Sequence, residues 1–161
     1  MDIRKTDLDD LDKVMDIYDN ARKYMRKNGN PNQWDKGYPS RELIRQDIKE
    51  GKSYVAVDGN QLVGVFFFDV GPDPTYKRIF DGHWIKDGEY GVVHRIASAS
   101  HKKGVGSYCL KWAFEKCGNL RIDTHRDNII MQNLLDKNGF EKCGIIHLKD
   151  GDERIAYQKV L

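Results

Sequence analysis

The chain of 161 residues is 39% hydrophobic and 32% charged, the proportions of a folded globular protein and not of a disordered one. Its formal net charge of +2 is too small for a nucleic-acid binder, which presents a basic face or stripe. No apolar run approaches the roughly 18 residues of a membrane span; Leu62 to Phe68 is strand-sized. The start, Met1-Asp2-Ile3-Arg4, lacks an apolar leader pattern, so a cytoplasmic location is expected. Cys109, Cys117 and Cys143 contain no C-x-x-C pair and read as reduced, buried thiols.

No repeat and no Ser/Gly/Pro-rich linker divides the chain, so one domain over residues 1–161 is expected. A short strand at Asp2 to Lys5 leads to Thr6, a good N-cap, with Asp7, Asp9 and Asp10 at the positive end of a helix. Leu8, Leu11, Met15, Tyr18, Ala21 and Met25 carry that helix to the terminators Asn28-Gly29-Asn30-Pro31. Ser40 caps a second helix with Leu43, Ile44 and Ile48 on one face, ended by Gly51. Ser53 to Val57 and Gln61 to Val70 form a hairpin around Asp58-Gly59-Asn60. Gly71 to Glu89 is a long loop, and loops of that length in a folded domain are often functional.

Tyr90 to Ser98 is the fourth strand, followed by glycines and a helix bearing Val105, Cys109, Leu110 and Ala113. Leu120 to Thr124 is a strand, Asn128 to Lys137 a helix, and Phe140 to His147 with Arg154 to Val160 a closing hairpin. The order β-α-α-β-β-β-α-β-α-β-β demands a mixed sheet, because β-α-β units need parallel neighbours and hairpins antiparallel ones. The expected class is α/β in three layers.

His101-Lys102-Lys103-Gly104-Val105-Gly106-Ser107 lies between a strand and a helix. Its glycines let backbone approach a ligand, and the helix end supplies unpaired N–H groups and a positive dipole, which together make an anion site. Lys102 and Lys103 add charge and Ser107 a hydroxyl. From the residues alone, a plain turn with two solvated lysines is the commoner reading of such a pattern. The third glycine of a dinucleotide fingerprint and the Gly-Lys-Ser/Thr of a P-loop are both absent.

The run His101 to Gly106 resembles the pyrophosphate motif Gln/Arg-x-x-Gly-x-Gly/Ala of the GNAT superfamily of N-acetyltransferases. Asn128 opening a helix that closes on Gly139-Phe140 resembles that family's later signature. The likeness covers the whole length. Gln33-Trp34, Tyr38-Pro39, His94-Arg95-Ile96-Ala97 and Arg121 to His125 resemble an uncharacterised bacterial subgroup. The resemblance implies a sheet of about seven strands with helices on both faces, its fourth and fifth strands parallel and splayed. It implies acetyl-CoA as acyl donor, no metal, and an amine acceptor attacking the thioester in a ternary complex. Pantetheine would pair with Ile96, Ala97 and Ser98, the diphosphate would rest on Lys102, Lys103, Gly104, Val105, Gly106 and Ser107, and Asn128 would reach the pantetheine from the other wall. The family's final strands often meet in homodimers. Two positions depart from the pattern: His101 replaces Gln or Arg, and Leu135 stands where a Tyr often protonates the departing thiolate.

The reaction then needs a base. Candidates are His94, His125, Asp123 and Glu89, and the family's strand-borne base favours His94, on a face that alternation gives to residues 92, 94, 96 and 98. Packed core residue is the competing reading of His94, helix cap that of His125, and structural pairing with Arg121 or Arg95 that of Asp123. Trp34, Tyr38, Trp84 and Tyr90 are expected to wall the acceptor pocket, able to hold an ammonium by cation–π contact. Tyr157 is a candidate replacement acid. Cys109, on an apolar helical stripe, reads as packing. A CoA-sensing or partner-binding module that kept the fold and lost turnover is the alternative to an enzyme.

Overall fold

The computed structural model describes residues 1–99 and 102–161. Apolar alternation produces strands β1 (Asp2–Lys5), β2 (Ser53–Asp58), β3 (Gln61–Val70), β4 (Gly91–Ser98), β5 (Asn119–Thr124), β6 (Glu141–His147) and β7 (Glu153–Val160). The helices are α1 (Leu11–Lys27), α2 (Arg41–Lys49), α3 (Val105–Cys117) and α4 (Ile129–Lys137). The strands form one sheet in the order β1-β2-β3-β4-β5-β7-β6. Only β4 and β5 run parallel; every other neighbouring pair is antiparallel. Among the described residues no helix is long and apolar enough to cross a membrane.

Three apolar clusters set the layers. On one face, Val105, Cys109, Leu110 and Ala113 of α3 and Leu135 of α4 pack on Phe66, Phe68, Val93, Leu120, Ile122 and Tyr157. On the other, Val14, Ile17 and Tyr18 of α1 and Ile44 and Ile48 of α2 pack on Val55, Val65 and Ala97. That second face continues over β6 and β7, where the loop after β3 supplies the cover: Tyr76 is buried with Val92, Ile146 and Ala156, and Trp84 and Tyr90 pack beside it.

The start of α1 differs from the expected cap. Thr6 turns its hydroxyl to Ser53, 2.8 Å away on β2, which leaves the capping to Asp7 and Asp10. A short 3-10 turn at Leu8–Asp10 therefore precedes the helix. Ser40 caps α2 as expected, accepting from the Leu43 N–H at 3.1 Å.

A bulge in β4 is the feature that matters most for function. Phe67 pairs with His94 and Val65 with Ala97, so β4 holds one residue more than β3 across this span. Arg95 adopts φ of +49°, a conformation costly for a residue with a side chain. Its surroundings enforce it. The Tyr18 hydroxyl donates to the Arg95 carbonyl at 2.7 Å, and the guanidinium forks onto buried Asp47 at 2.9 and 3.0 Å. The guanidinium also lies 4.8 Å from the centre of the Phe67 ring.

The bulge overturns the expected alternation. His94 and Arg95 both contact Phe67, whereas Ile96 packs with Val93 on the opposite face. Residues 92, 94, 96 and 98 therefore do not share one side of the strand.

Candidate active site

β4 and β5 pair only at Gly91 with Leu120 and Val92 with Arg121. Beyond those pairs both strands continue unpaired to each other, and a wedge opens between them. Two cavities occupy its mouth. The first, about 330 Å³, lies between Ile96 to Ala99 and the first turns of α4, with Ala21, Tyr24 and Met25 of α1 as its roof. The second, about 360 Å³, is walled by Trp34, Asp35 and Tyr38, by Asp73 and Thr75, by His94 and by Asp123. Met25, Ile96, Asn128 and Met131 line both, so the cavities meet there.

At the first cavity, Gly104 precedes α3 with φ of +82°, which is why glycine stands there. Gly106 has a different reason: a Cβ would come within 2.8 Å of Leu134, so its absence lets α3 pack close to α4. The N–H groups of Val105, Gly106 and Ser107 begin the helix and have no intrahelical acceptor. His101 lies outside the described residues, as does Ser100. Of the side chains, Lys102 lines the cavity and is 2.8 Å from Asp58, while Lys103 is exposed and lines neither cavity. Val105 is a core residue, and the Ser107 hydroxyl accepts from Asn138 at 3.0 Å. What this turn offers an anion is therefore mainly backbone.

Asn128 is the N-cap of α4. Its side-chain oxygen accepts from the Met131 N–H at 3.0 Å, and its amide nitrogen donates to Gln33 at 2.9 Å. Gln33 thereby ties the loop that carries Trp34 and Tyr38 to the point where the cavities meet. Trp34 is buried, edge-on to both Tyr18 and Tyr38, and the Tyr38 hydroxyl accepts from Arg95 at 3.2 Å.

The second cavity contains an oriented imidazole. Nε2 of His94 lies 2.7 Å from Oδ2 of Asp73. Asp73 also accepts from the Thr75 N–H at 2.9 Å and the Thr75 hydroxyl at 2.7 Å, and its own N–H donates to the Tyr90 hydroxyl at 2.9 Å. Burial alone would raise the Asp73 carboxyl. The hydrogen bonds from His94 and Thr75 outweigh it and hold the group down at about 2. An ionised Asp73 only accepts, so a neutral His94 carries its proton on Nε2 and its lone pair on Nδ1. Among the described residues Nδ1 has no hydrogen-bond partner.

Asp123 lies on the same wall. The Tyr76 hydroxyl donates to its Oδ2 at 2.6 Å. Burial, then the Asp123 charge, push the Tyr76 phenol well above its ordinary value, so it stays protonated and donating. The Tyr76 and His94 rings are 5.9 Å apart, and both carboxylates are thus fixed around one aromatic cluster.

With the wedge, the paired cavities and the α3 terminus in view, comparison with known proteins decides the family. The sequence pattern described as the acetyltransferase (GNAT) family matches residues 14–140. The chain belongs to this family. A GNAT family acetyltransferase from Streptococcus agalactiae is 32% identical, with 99% of this chain and 95% of that one covered and a TM-score of 0.91. The ribosomal-protein-alanine N-acetyltransferase of Brucella melitensis is 20% identical over 100% of both chains, with a TM-score of 0.64. The NatC complex bound to Gag peptide and CoA is 16% identical over 100% of this chain and 99% of that one, with a TM-score of 0.58. These last two likenesses are of fold. No curated protein matches by sequence.

As a GNAT acetyltransferase the chain departs from several expectations at individual positions. His125 lines neither cavity: its Nδ1 accepts from the Asp127 N–H at 3.0 Å, and burial together with Arg154 lowers its pKa. The imidazole is a turn cap, with its lone pair already used. Tyr157 is fully buried under α3 and α4, its phenol pushed up to about 12, and it faces neither cavity. Leu135 is in the same core; the α4 residues that line the cavities are Ile129, Ile130, Met131 and Leu134.

Trp84 and Tyr90 do make cation–π contacts, but to the protein's own Arg121, whose guanidinium sits 4.1 and 4.0 Å from their ring centres. Arg121 needs that cover because β5 buries it, and the sandwich clamps the loop onto the sheet through Lys86, whose carbonyl accepts from it at 2.9 Å. Glu89 is exposed and lines neither cavity. Burial lifts the Cys109 thiol to about 12, in keeping with a packing role.

The residues that sequence reasoning missed are Asp73, Tyr76, Gln33 and the Asp47–Arg95 pair. Gln33 and Arg95 stood in the runs that resemble the bacterial subgroup without a role of their own, and Asp73 and Tyr76 left a trace in the length of the loop that carries them.

Proposed function

We propose that this acetyltransferase transfers the acetyl group of acetyl-CoA to a primary amine, with His94 as general base. The observation that carries the reading is the meeting of the two cavities at Ile96, Asn128 and Met131, with the His94–Asp73 pair on the wall of one of them. Pantetheine in the first cavity would add a strand to the unpaired edge at Ile96 to Ser98, which the bulge turns away from its neighbour. The diphosphate would rest on the free amides at the start of α3, supported by its dipole. In the second cavity the acceptor ammonium gives a proton to Nδ1 of His94, and its nitrogen then attacks the thioester carbon. The N–C bond forms, the C–S bond breaks, and the thiolate leaves toward Asn128. There the positive end of α4 favours negative charge, and water relays to the thiolate the second proton, which the attacking nitrogen sheds as the amide forms. This route needs no acid at position 135.

Isothermal titration with acetyl-CoA tests the donor half. Wild type binds; Gly104→Glu loses at least about tenfold in affinity, since a side chain at φ of +82° is strained and the carboxylate repels the diphosphate. Unchanged affinity in a folded Gly104→Glu variant overturns the placement. Thioester consumption over a panel of amines tests the rest. The absence of any hydroxyl among Met131, Leu134 and Leu135 favours the second reading, a CoA-sensing module, which acetyl-CoA binding without turnover on any amine would establish.

A further inference from the structure

We infer that Asp123 is the residue that receives the acceptor's ammonium and so sets how strongly the site prefers a charged over a neutral amine. The inference rests on the acetyl-transfer reading above and adds the side chain that docks the acceptor.

The argument begins with charge pairing. Among the described residues, three cationic or potentially cationic side chains line the second cavity: His94, Arg95 and Arg154. Each is already committed to a carboxylate, His94 to Asp73 at 2.7 Å, Arg95 to Asp47 at 2.9 Å and Arg154 to Asp152 at 3.8 Å. Asp123 is half-buried in the wall, and among the described residues no cation lies within ion-pair distance of it. A carboxylate held partly out of water without a counter-charge is costly. This one is nevertheless held in place by the buried Tyr76 hydroxyl at 2.6 Å, which satisfies one oxygen and cannot neutralise the charge. The missing partner is a cation that arrives with the substrate.

Position supports the same assignment. The Asp123 carboxylate meets the Tyr76 hydroxyl and the His94 ring lies beside the Tyr76 ring, so an ammonium docked on Asp123 sits in the cavity that His94 also lines. Asp35 and Asp150, both exposed, line the same cavity and attract cations over longer range. An amine carrying its own carboxylate next to the nitrogen would meet these groups unfavourably.

The test compares wild type with Asp123→Asn on two acceptors of similar size: an n-alkylamine, protonated at pH 7.5, and an arylamine, neutral at that pH. The expected result is a fall in kcat/KM of about 10- to 100-fold for the alkylamine, carried mainly by KM, as loss of one charged hydrogen bond implies. For the arylamine the change stays within about threefold by the same reasoning. Equal losses on both acceptors, or no loss on either, overturn the inference. Titration of alkylamine into the CoA-saturated protein reads the docking without turnover: wild type binds, the variant binds at least tenfold more weakly by the same estimate, and equal binding also overturns it. Asp123→Ser, which retains an acceptor for Tyr76, serves if the Asn variant fails to fold. Wild type inactive on every amine would sink the acetyl-transfer reading itself, an outcome distinct from an active enzyme indifferent to Asp123.

Discussion

Replacing His94 with glutamine is expected to lower kcat on amine acceptors by about 10²- to 10⁴-fold, the contribution of a positioned general base. Glutamine can still donate to Asp73, so the wall keeps its shape, but it offers no basic nitrogen to the cavity. Acetyl-CoA affinity is expected to stay near wild type, since His94 lines only the second cavity. A variant with unaltered kcat would remove His94 from the mechanism.

Asp73→Asn supplies the companion measurement. The Asp73 carboxyl sits at about 2 in the folded chain, below its ordinary range. A depressed carboxylate adds stability that is present above its unfolded value and is lost as pH falls through the folded one. Thermal melting of wild type should therefore weaken between about pH 4 and pH 2 through this group, and Asp73→Asn should show less of that loss. Equal acid sensitivity in the two proteins would mean that the His94 and Thr75 bonds do not hold the charge.

The second large effect concerns stability. Asp47→Ala is expected to cost about 3–5 kcal/mol, because it leaves the Arg95 guanidinium buried without its counter-charge. For a chain of this length that corresponds to a fall in Tm of roughly 6–20 °C. Arg95 also loses the fork that keeps its backbone at positive φ, so the bulge that frees the β4 edge is expected to relax. Acetyl-CoA affinity should then fall with stability. The double variant Asp47→Ala/Arg95→Met removes both charges and should recover part of the lost stability. A single-variant cost below about 1 kcal/mol would show the pair to be no more than a surface contact.

These positions mark the boundary between what local sequence carries and what distance conceals. The hairpin at Asp58-Gly59-Asn60, the Ser40 cap and the helix opened by Asn128 follow from side-chain and backbone chemistry within a few residues, and each stands where that chemistry puts it. The glycine before α3 is equally local, because a positive φ excludes most other residues. Arg95 is the counter-example. Its neighbours in sequence read as regular strand, and its conformation is set by Asp47, 48 positions away, and Tyr18, 77 positions away. Strand alternation misjudged every residue beyond it for that reason.

His125 and the Trp84–Tyr90 pair failed in a related way. Each has the chemistry expected of it, a basic nitrogen and two cation-binding rings, but Asp127 and Arg121 already use those capacities. A side chain's type states what it can bind, and only the folded chain states whether it is free to do so. By itself the sequence determined the order of strands and helices and the glycine turn before α3, because periodicity, caps and backbone angles act over short range; the opening between β4 and β5 came from the family resemblance. Tertiary structure decided which imidazole keeps its lone pair, which carboxylate lacks a counter-ion and which rings are occupied, because those facts depend on partners brought together from opposite ends of the chain.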